Sequence, residues 1–174
     1  MKKITAYEIA LSALACGLST VLLTVGVYSA ALLLTGYLMS SAALLLPLAK
    51  KSYRGFALAY IATCILSLVF NVARFFDVLP FIVFFGLHPL VNELQIKWKI
   101  NRYLAWAVKA VWFDGTAYLI WRFVFGMTTT FPLVDRYIIP AILILGTAFF
   151  LLYDYATFRC RAVVFSAVDR VVKK

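Results

Sequence analysis

Residues 4–49 read ITAYEIALSALACGLSTVLLTVGVYSAALLLTGYLMSSAALLLPLA, with Glu8 the single formal charge among them. A helix rises 1.5 Å per residue, so about 20 residues cross the roughly 30 Å of bilayer hydrocarbon. The run is about twice that length and must fold back on itself within the membrane. Gly26, with Thr24 and Ser29 as small polar neighbours, is the expected turn, giving spans at about 4–25 and 27–49.

Lys50, Lys51, Ser52 and Arg54 close this run. Further apolar runs predict spans at about 55–72, 78–91, 103–125 and 133–158. Arg74 and Asp77 mark one connection and a threonine-rich segment at 126–132 another. The fourth span is short, with Pro80 and Pro89 at its two ends, and Pro140 falls near the start of the sixth. Between the fourth and fifth, Leu94, Ile96, Trp98 and Ile100 alternate with Gln95, Lys97, Lys99 and Asn101. That period is nearer two than 3.6 and predicts an interfacial connector with Trp98 among the headgroups. The expected architecture is all-α: one six-helix transmembrane domain over 1–158, followed by a basic tail at 159–174. The tail reads either as an amphipathic helix on anionic lipid or as an extension of the sixth span.

Composition points the same way. The 174 residues are 65% hydrophobic and 14% charged, against about 45–50% and about 25% in soluble domains. A globule of this size cannot hide so much apolar surface, and a bilayer supplies the missing solvent. The net charge of +10 does not indicate nucleic acid, because the basic residues punctuate apolar runs instead of covering one soluble face. Anionic inner-leaflet lipid accounts for them. Cys16, Cys64 and Cys160 are scattered, with no metal-ligand or disulfide spacing. Lys2, Lys3 and the Ala13-Leu14-Ala15 triplet imitate a signal peptide, but Tyr7 and Glu8 interrupt the short apolar region and the run continues past Ala15. An uncleaved first span is expected.

Charge placement sets the expected topology. With the N-terminus inside, Lys2, Lys3, Lys50, Lys51, Arg54, Lys97, Lys99, Arg102, Lys109, Arg159, Arg161, Arg170, Lys173 and Lys174 collect on the cytoplasmic side. Only Arg74, Arg122 and Arg136 fall outside. The positive-inside rule favours six spans with both termini cytoplasmic.

No catalytic constellation is visible. His88 is the single histidine, and there is no G-x-S-x-G, Walker-type or G-x-G-x-x-G sequence. Asp114-Gly115 resembles the start of an aspartate-rich phosphotransferase motif, without the further aspartates such a metal site needs. No enzyme, cofactor or metal is expected. The informative residues are those a bilayer penalises, since an ionisable group at its centre costs at least about 2.5–3.5 kcal/mol. Asp114 lies mid-span, and Tyr118, Trp121, Arg122 and Phe125 follow at three- and four-residue steps on its face. Asn71 and Arg74 stand at the outer end of the third span. Together Asn71, Arg74, Asp114, Tyr118, Trp121 and Arg122, with Arg136 as a further donor, predict an outward pocket for a polar or anionic ring compound. The structural alternative is an interfacial aromatic belt, with Asp114 paired to a neighbour such as Lys109. Ala6, Ala10, Ala13 and Gly17 form a small-residue stripe on the first span, suited to close packing against another helix of the bundle or a separate subunit. Gly36 and Ser40 form a second such pair.

Six helices in under 200 residues, both ends cytoplasmic, basicity and the alanine-rich first span together resemble the S components of energy-coupling factor transporters. Ala6-Tyr7-Glu8-Ile9-Ala10 matches that family's A-x-x-x-A docking pattern. The resemblance implies a bacterial cytoplasmic-membrane subunit that captures a vitamin-like molecule at an outward pocket. It also implies docking on a T-component-like membrane partner with cytoplasmic ATPases, because this sequence has no ATP-binding motif. The short first turn and the run Phe84-Phe85-Gly86-Leu87-His88-Pro89 depart from that family, and the run resembles small bacterial membrane proteins of uncharacterised role. Two other readings remain: an accessory membrane subunit acting without a ligand through helix contacts, and a small lipid-modifying enzyme.

Overall fold

A computed structural model describes residues 5–125 and 132–172. Lys2, Lys3, Lys173, Lys174, the threonine-rich segment at 126–131 and the Arg136 side chain lie outside the described residues. Among those described, every regular element is helical. The first, α1 (Ala6–Tyr28), starts with a capping box. Thr5 Oγ1 accepts from the Glu8 amide at 3.3 Å, and Glu8 Oε2 accepts from the Thr5 amide at 2.8 Å. The one charge in the opening run therefore satisfies the free donors of a helix start.

A 3₁₀ turn (Ala30–Leu32) leads into α2 (Leu33–Ala43) and α3 (Leu45–Ala49). Pro47 explains the break between them: its ring clashes with the carbonyl four residues earlier, and Ala43 is the last residue of α2. Ser52 caps α4 (Tyr53–Phe70) through the Gly55 amide. A second 3₁₀ turn (Val72–Arg74), α5 (Phe75–Pro80), a π-helical segment (Phe81–Phe85) and α6 (His88–Lys97) then form one kinked rod. Asn101 caps α7 (Arg102–Ile120), which a second π segment (Trp121–Phe125) prolongs. α8 (Pro132–Ala141), a third π segment (Ile142–Gly146) and α9 (Thr147–Val172) complete the chain.

Among the described residues, four helical stretches are long and apolar enough to cross a membrane: Ala6–Tyr28, Tyr53–Phe70, Val72–Lys97 and Tyr137–Arg170. Leu33–Ala49 is apolar but shorter. α7 has 19 residues but carries Lys109 and Asp114, which lower its apolar character.

Two expectations differ from the structure, and a choice between two readings is decided. Gly26 is not a turn; α1 continues to Tyr28, and Gly26 meets Gly36 of α2. A Cβ on Gly26 would lie 2.9 Å from the Gly36 Cα, and one on Gly36 would lie 2.8 Å from the Gly26 Cα. Glycine is needed there so that two backbones can touch. One level away, the Ser19 and Ser40 hydroxyls lie 2.5 Å apart, and Ser40 also donates to the Ser19 carbonyl at 2.9 Å. Second, residues 92–97 are helix, not connector. Asn92 and Glu93 are buried by polar partners, so their polarity hid the helical face from a hydrophobic-period reading. Of the two readings of the basic tail, the structure has the extension: the tail belongs to α9, which runs unbroken to Val172. Glu93 pairs with Arg161, and Lys50 Nζ lies 3.1 Å from Asp169 Oδ1, so this extension is tied to α6 and to the end of α3.

Candidate functional site

The three π segments converge on one cavity. Phe84 and Phe85 come from the first, Trp121 from the second and Ile142 from the third. Two prolines account for part of this geometry: Pro80 directly precedes the first π segment, and Pro140 lies two residues before the third. Single π turns are often found at functional sites, because the extra residue re-aims side chains. The cavity holds about 360 Å³, within the usual range of small-molecule sites. Tyr37, Phe113 and Phe149 add aromatic wall, and Thr116 and Ala117 present the small side of α7. Tyr37 stacks on Phe85 with centroids 4.7 Å apart and donates its hydroxyl to the Asp77 carbonyl at 2.5 Å. The lining thus offers flat apolar faces and few polar atoms.

Phe84 is the floor of this cavity and the roof of a different environment. Its ring lies 5.2 Å from that of His88, which is fully buried. His88, Asn92, Lys109 and Asp154 close a polar ring within the bundle, each 2% exposed or less. Lys109 Nζ donates to Asp154 Oδ1 at 2.5 Å and to Asn92 Oδ1 at 2.9 Å. Asn92 Nδ2 lies 3.4 Å from His88 Nδ1, and His88 Nε2 lies 3.1 Å from Asp154 Oδ1, at ion-pair distance but without hydrogen-bond alignment. Trp106 Nε1 donates to Asp154 Oδ2 at 3.0 Å. With Lys109 charged and His88 neutral the ring carries no net charge, and the attraction between Lys109 and Asp154 offsets part of the cost of desolvating both ions. It joins α6, α7 and α9.

Sequence reasoning passed over this ring. Lys109 is buried inside the bundle, and its partner is Asp154, not Asp114. The available signal was that Lys109 and Asp154 each interrupt an apolar run with an opposite charge.

The six residues of the expected pocket do not share one site. Asn71 donates to Thr24 Oγ1 at 3.1 Å and to the Ser67 carbonyl at 2.7 Å. Arg74 donates to the Val27 carbonyl at 2.8 Å and lies over the Tyr28 ring. These two close the last turn of α1 onto the end of α4, satisfying a terminal carbonyl. Asp114 accepts from Thr147 Oγ1 at 2.9 Å and, with Tyr118, lines a separate groove of about 400 Å³ between α7 and the α8 rod. Trp121 faces the aromatic cavity, with Ile142 as the wall common to both. Arg122 is exposed. Ala6, Ala10, Ala13 and Gly17 all face outward from the bundle, and nothing lies within 4 Å of a Cβ built on Gly17. α1 packs inward through Leu11, Ser12, Ala15, Ser19 and Leu23 instead. No protein-family model matches the chain, and neither a curated protein nor a solved structure matches it.

Proposed function

We propose that this chain is the ligand-capturing membrane subunit of a multi-subunit importer, holding a flat, mainly apolar molecule in the aromatic cavity. The observation that carries the reading is the convergence of three π segments on one cavity of ligand size. Six spans with both termini cytoplasmic complete the reading. Leu33–Ala49 and α7 with its π segment serve as the second and fifth spans: the first is short but largely buried, and the second turns its Lys109 into the bundle. On that topology the aromatic cavity lies in the outer half, and Lys50, Lys99 and Arg102 lie at the inner face, as the positive-inside rule requires.

The topology is tested by cysteine labelling in intact cells, with Cys16, Cys64 and Cys160 replaced by serine. Lys50→Cys and Lys99→Cys are expected to resist an impermeant reagent, whereas Val72→Cys, in the opposite connection, reacts. External labelling of Lys50→Cys overturns the orientation.

Delivery of the ligand needs partners, since the sequence has no ATP-binding motif. On the resemblance to S components, we take the partner to be T-component-like, with cytoplasmic ATPases, and to dock on the outward stripe Ala6, Ala10, Ala13 and Gly17. Small residues allow a partner helix to approach closely. Ala10→Trp is expected to abolish co-purification of partner subunits while leaving the melting temperature of the isolated chain within a degree or two. Loss of fold in Ala10→Trp, or intact assembly, removes α1 as the docking surface. The capture reading itself rests on a bound small molecule that depends on the cavity, and Ala117→Trp is the variant that probes it.

A further inference from the structure

A second cavity, of about 520 Å³, opens at the basic end of the bundle between the α6–α7 connection and α9. Its rim carries Lys99 and Arg102, both exposed. Neither forms an ion pair among the described residues; the Arg102 guanidinium rests 4.3 Å from the Trp106 ring centre. A third cation stands beside it, because Arg159 donates to the hydroxyl of Tyr155, a wall residue, at 2.9 Å. Ile96, Ile100 and Leu151 make the remaining wall apolar.

Two features distinguish this cavity from a generic basic surface. Gln95 lines it, and its Oε1 is buried without a hydrogen-bond partner. Buried amide oxygens are normally satisfied, and a turn of the Gln95 amide would present this one to a donor in the cavity. Asp154 also reaches the wall, but its charge is already matched by Lys109. An occupant must therefore bring negative charge for Lys99 and Arg102, a hydroxyl donor for Gln95, and an apolar portion for the isoleucines and Leu151. The backbone gives the same rim extra definition: Lys99 is held at φ 51°, a left-handed conformation that a long side chain rarely adopts. Trp98 and Tyr103, 64% and 76% exposed, flank it as interfacial aromatics do.

We propose that this cavity is a binding site for one phospholipid with a glycerol-phosphate headgroup, of the phosphatidylglycerol type. The phosphate sits between Lys99 and Arg102, the headgroup glycerol hydroxyl donates to Gln95 Oε1, and the acyl chain follows Ile96, Ile100 and Leu151 out to the bilayer. Basic pockets between spans at the cytoplasmic face are suited to anionic headgroups. The assignment uses the membrane placement but not the importer reading, so each can fail alone.

Native mass spectrometry of the full chain, purified in detergent and supplied with defined lipids, tests it. The wild type is expected to retain one phosphatidylglycerol per chain, at least fivefold more than phosphatidylcholine or phosphatidic acid. Lys99→Gln/Arg102→Gln should lower that retention at least fivefold, and Gln95→Leu should erase the preference over phosphatidic acid. Lys97→Gln, a charge loss matched to the single change Lys99→Gln, at a residue whose ammonium lies over Tyr53 outside the cavity, should retain the lipid as wild type does. If the double variant does not fold, the single exposed change Lys99→Gln serves in its place. Equal retention of all three lipids, or equal loss in Lys97→Gln, overturns the site. Displacement by millimolar soluble glycerol phosphate overturns the lipid as its occupant.

Discussion

Replacing Lys109 with methionine is expected to lower the stability of the isolated chain by about 3–5 kcal/mol, because removing one member of a buried ion pair leaves the other uncompensated. Asp154 would keep only Trp106 and the poorly aligned His88 Nε2, and Asn92 Oδ1 would lose its donor. An effect of that size is a large part of the whole margin of a folded domain, about 5–15 kcal/mol. Lys109→Met/Asp154→Leu is expected to recover much of the loss, since the orphaned charge is then gone. It should not recover all of it, as Trp106 Nε1 and Asn92 Oδ1 stay unpaired at about 1–3 kcal/mol each. Denaturant midpoints in detergent measure both variants. A Lys109→Met variant as stable as Lys97→Met would mean that the ring does not hold α6, α7 and α9 together.

The next largest expected effect is on ligand capture. Ala117 lies on the α7 side of the aromatic cavity, where an added indole would occupy space that Phe84, Phe85 and Phe149 enclose. Ala117→Trp is expected to reduce bound small molecule at least tenfold, a factor worth about 1.4 kcal/mol at minimum. It fills an existing void, so the fold should be kept or slightly stabilised. Ala117→Ser, which leaves the volume nearly unchanged, should retain binding. Parallel losses in both variants would point to general damage to α7 instead of exclusion from the cavity.

The parts of this architecture that depend on local sequence were legible in it. Apolar run lengths, the break at Lys50–Arg54 and the unusual character of α7 all follow from one residue's neighbours along the chain. The second small pair, Gly36 and Ser40, also carried its meaning locally, since both sit at the crossing with α1. What failed did so where tertiary partners decide. Gly26 has the same sequence signature in a turn and in a helix crossing, and only Gly36 opposite distinguishes them. Asn92 and Glu93 look like loop residues until Lys109 and Arg161 are seen beside them. The predicted stripe from Asp114 to Arg122 assumed one uniform face. In the fold, Asp114 and Tyr118 take the groove side of α7 while Ala117, Ile120 and Trp121 take the cavity side. The polar ring is the extreme case: His88, Lys109 and Asp154 meet across three helices, and nothing in their spacing announces it.

Counting what co-purifies with the chain tests capture in the aromatic cavity most directly. Wild-type protein extracted in mild detergent, then denatured and examined by mass spectrometry, is expected to release one small, flat, largely apolar molecule per chain, missing from Ala117→Trp prepared identically. Wild-type protein that releases none, or an identical yield from Ala117→Trp, would contradict the account.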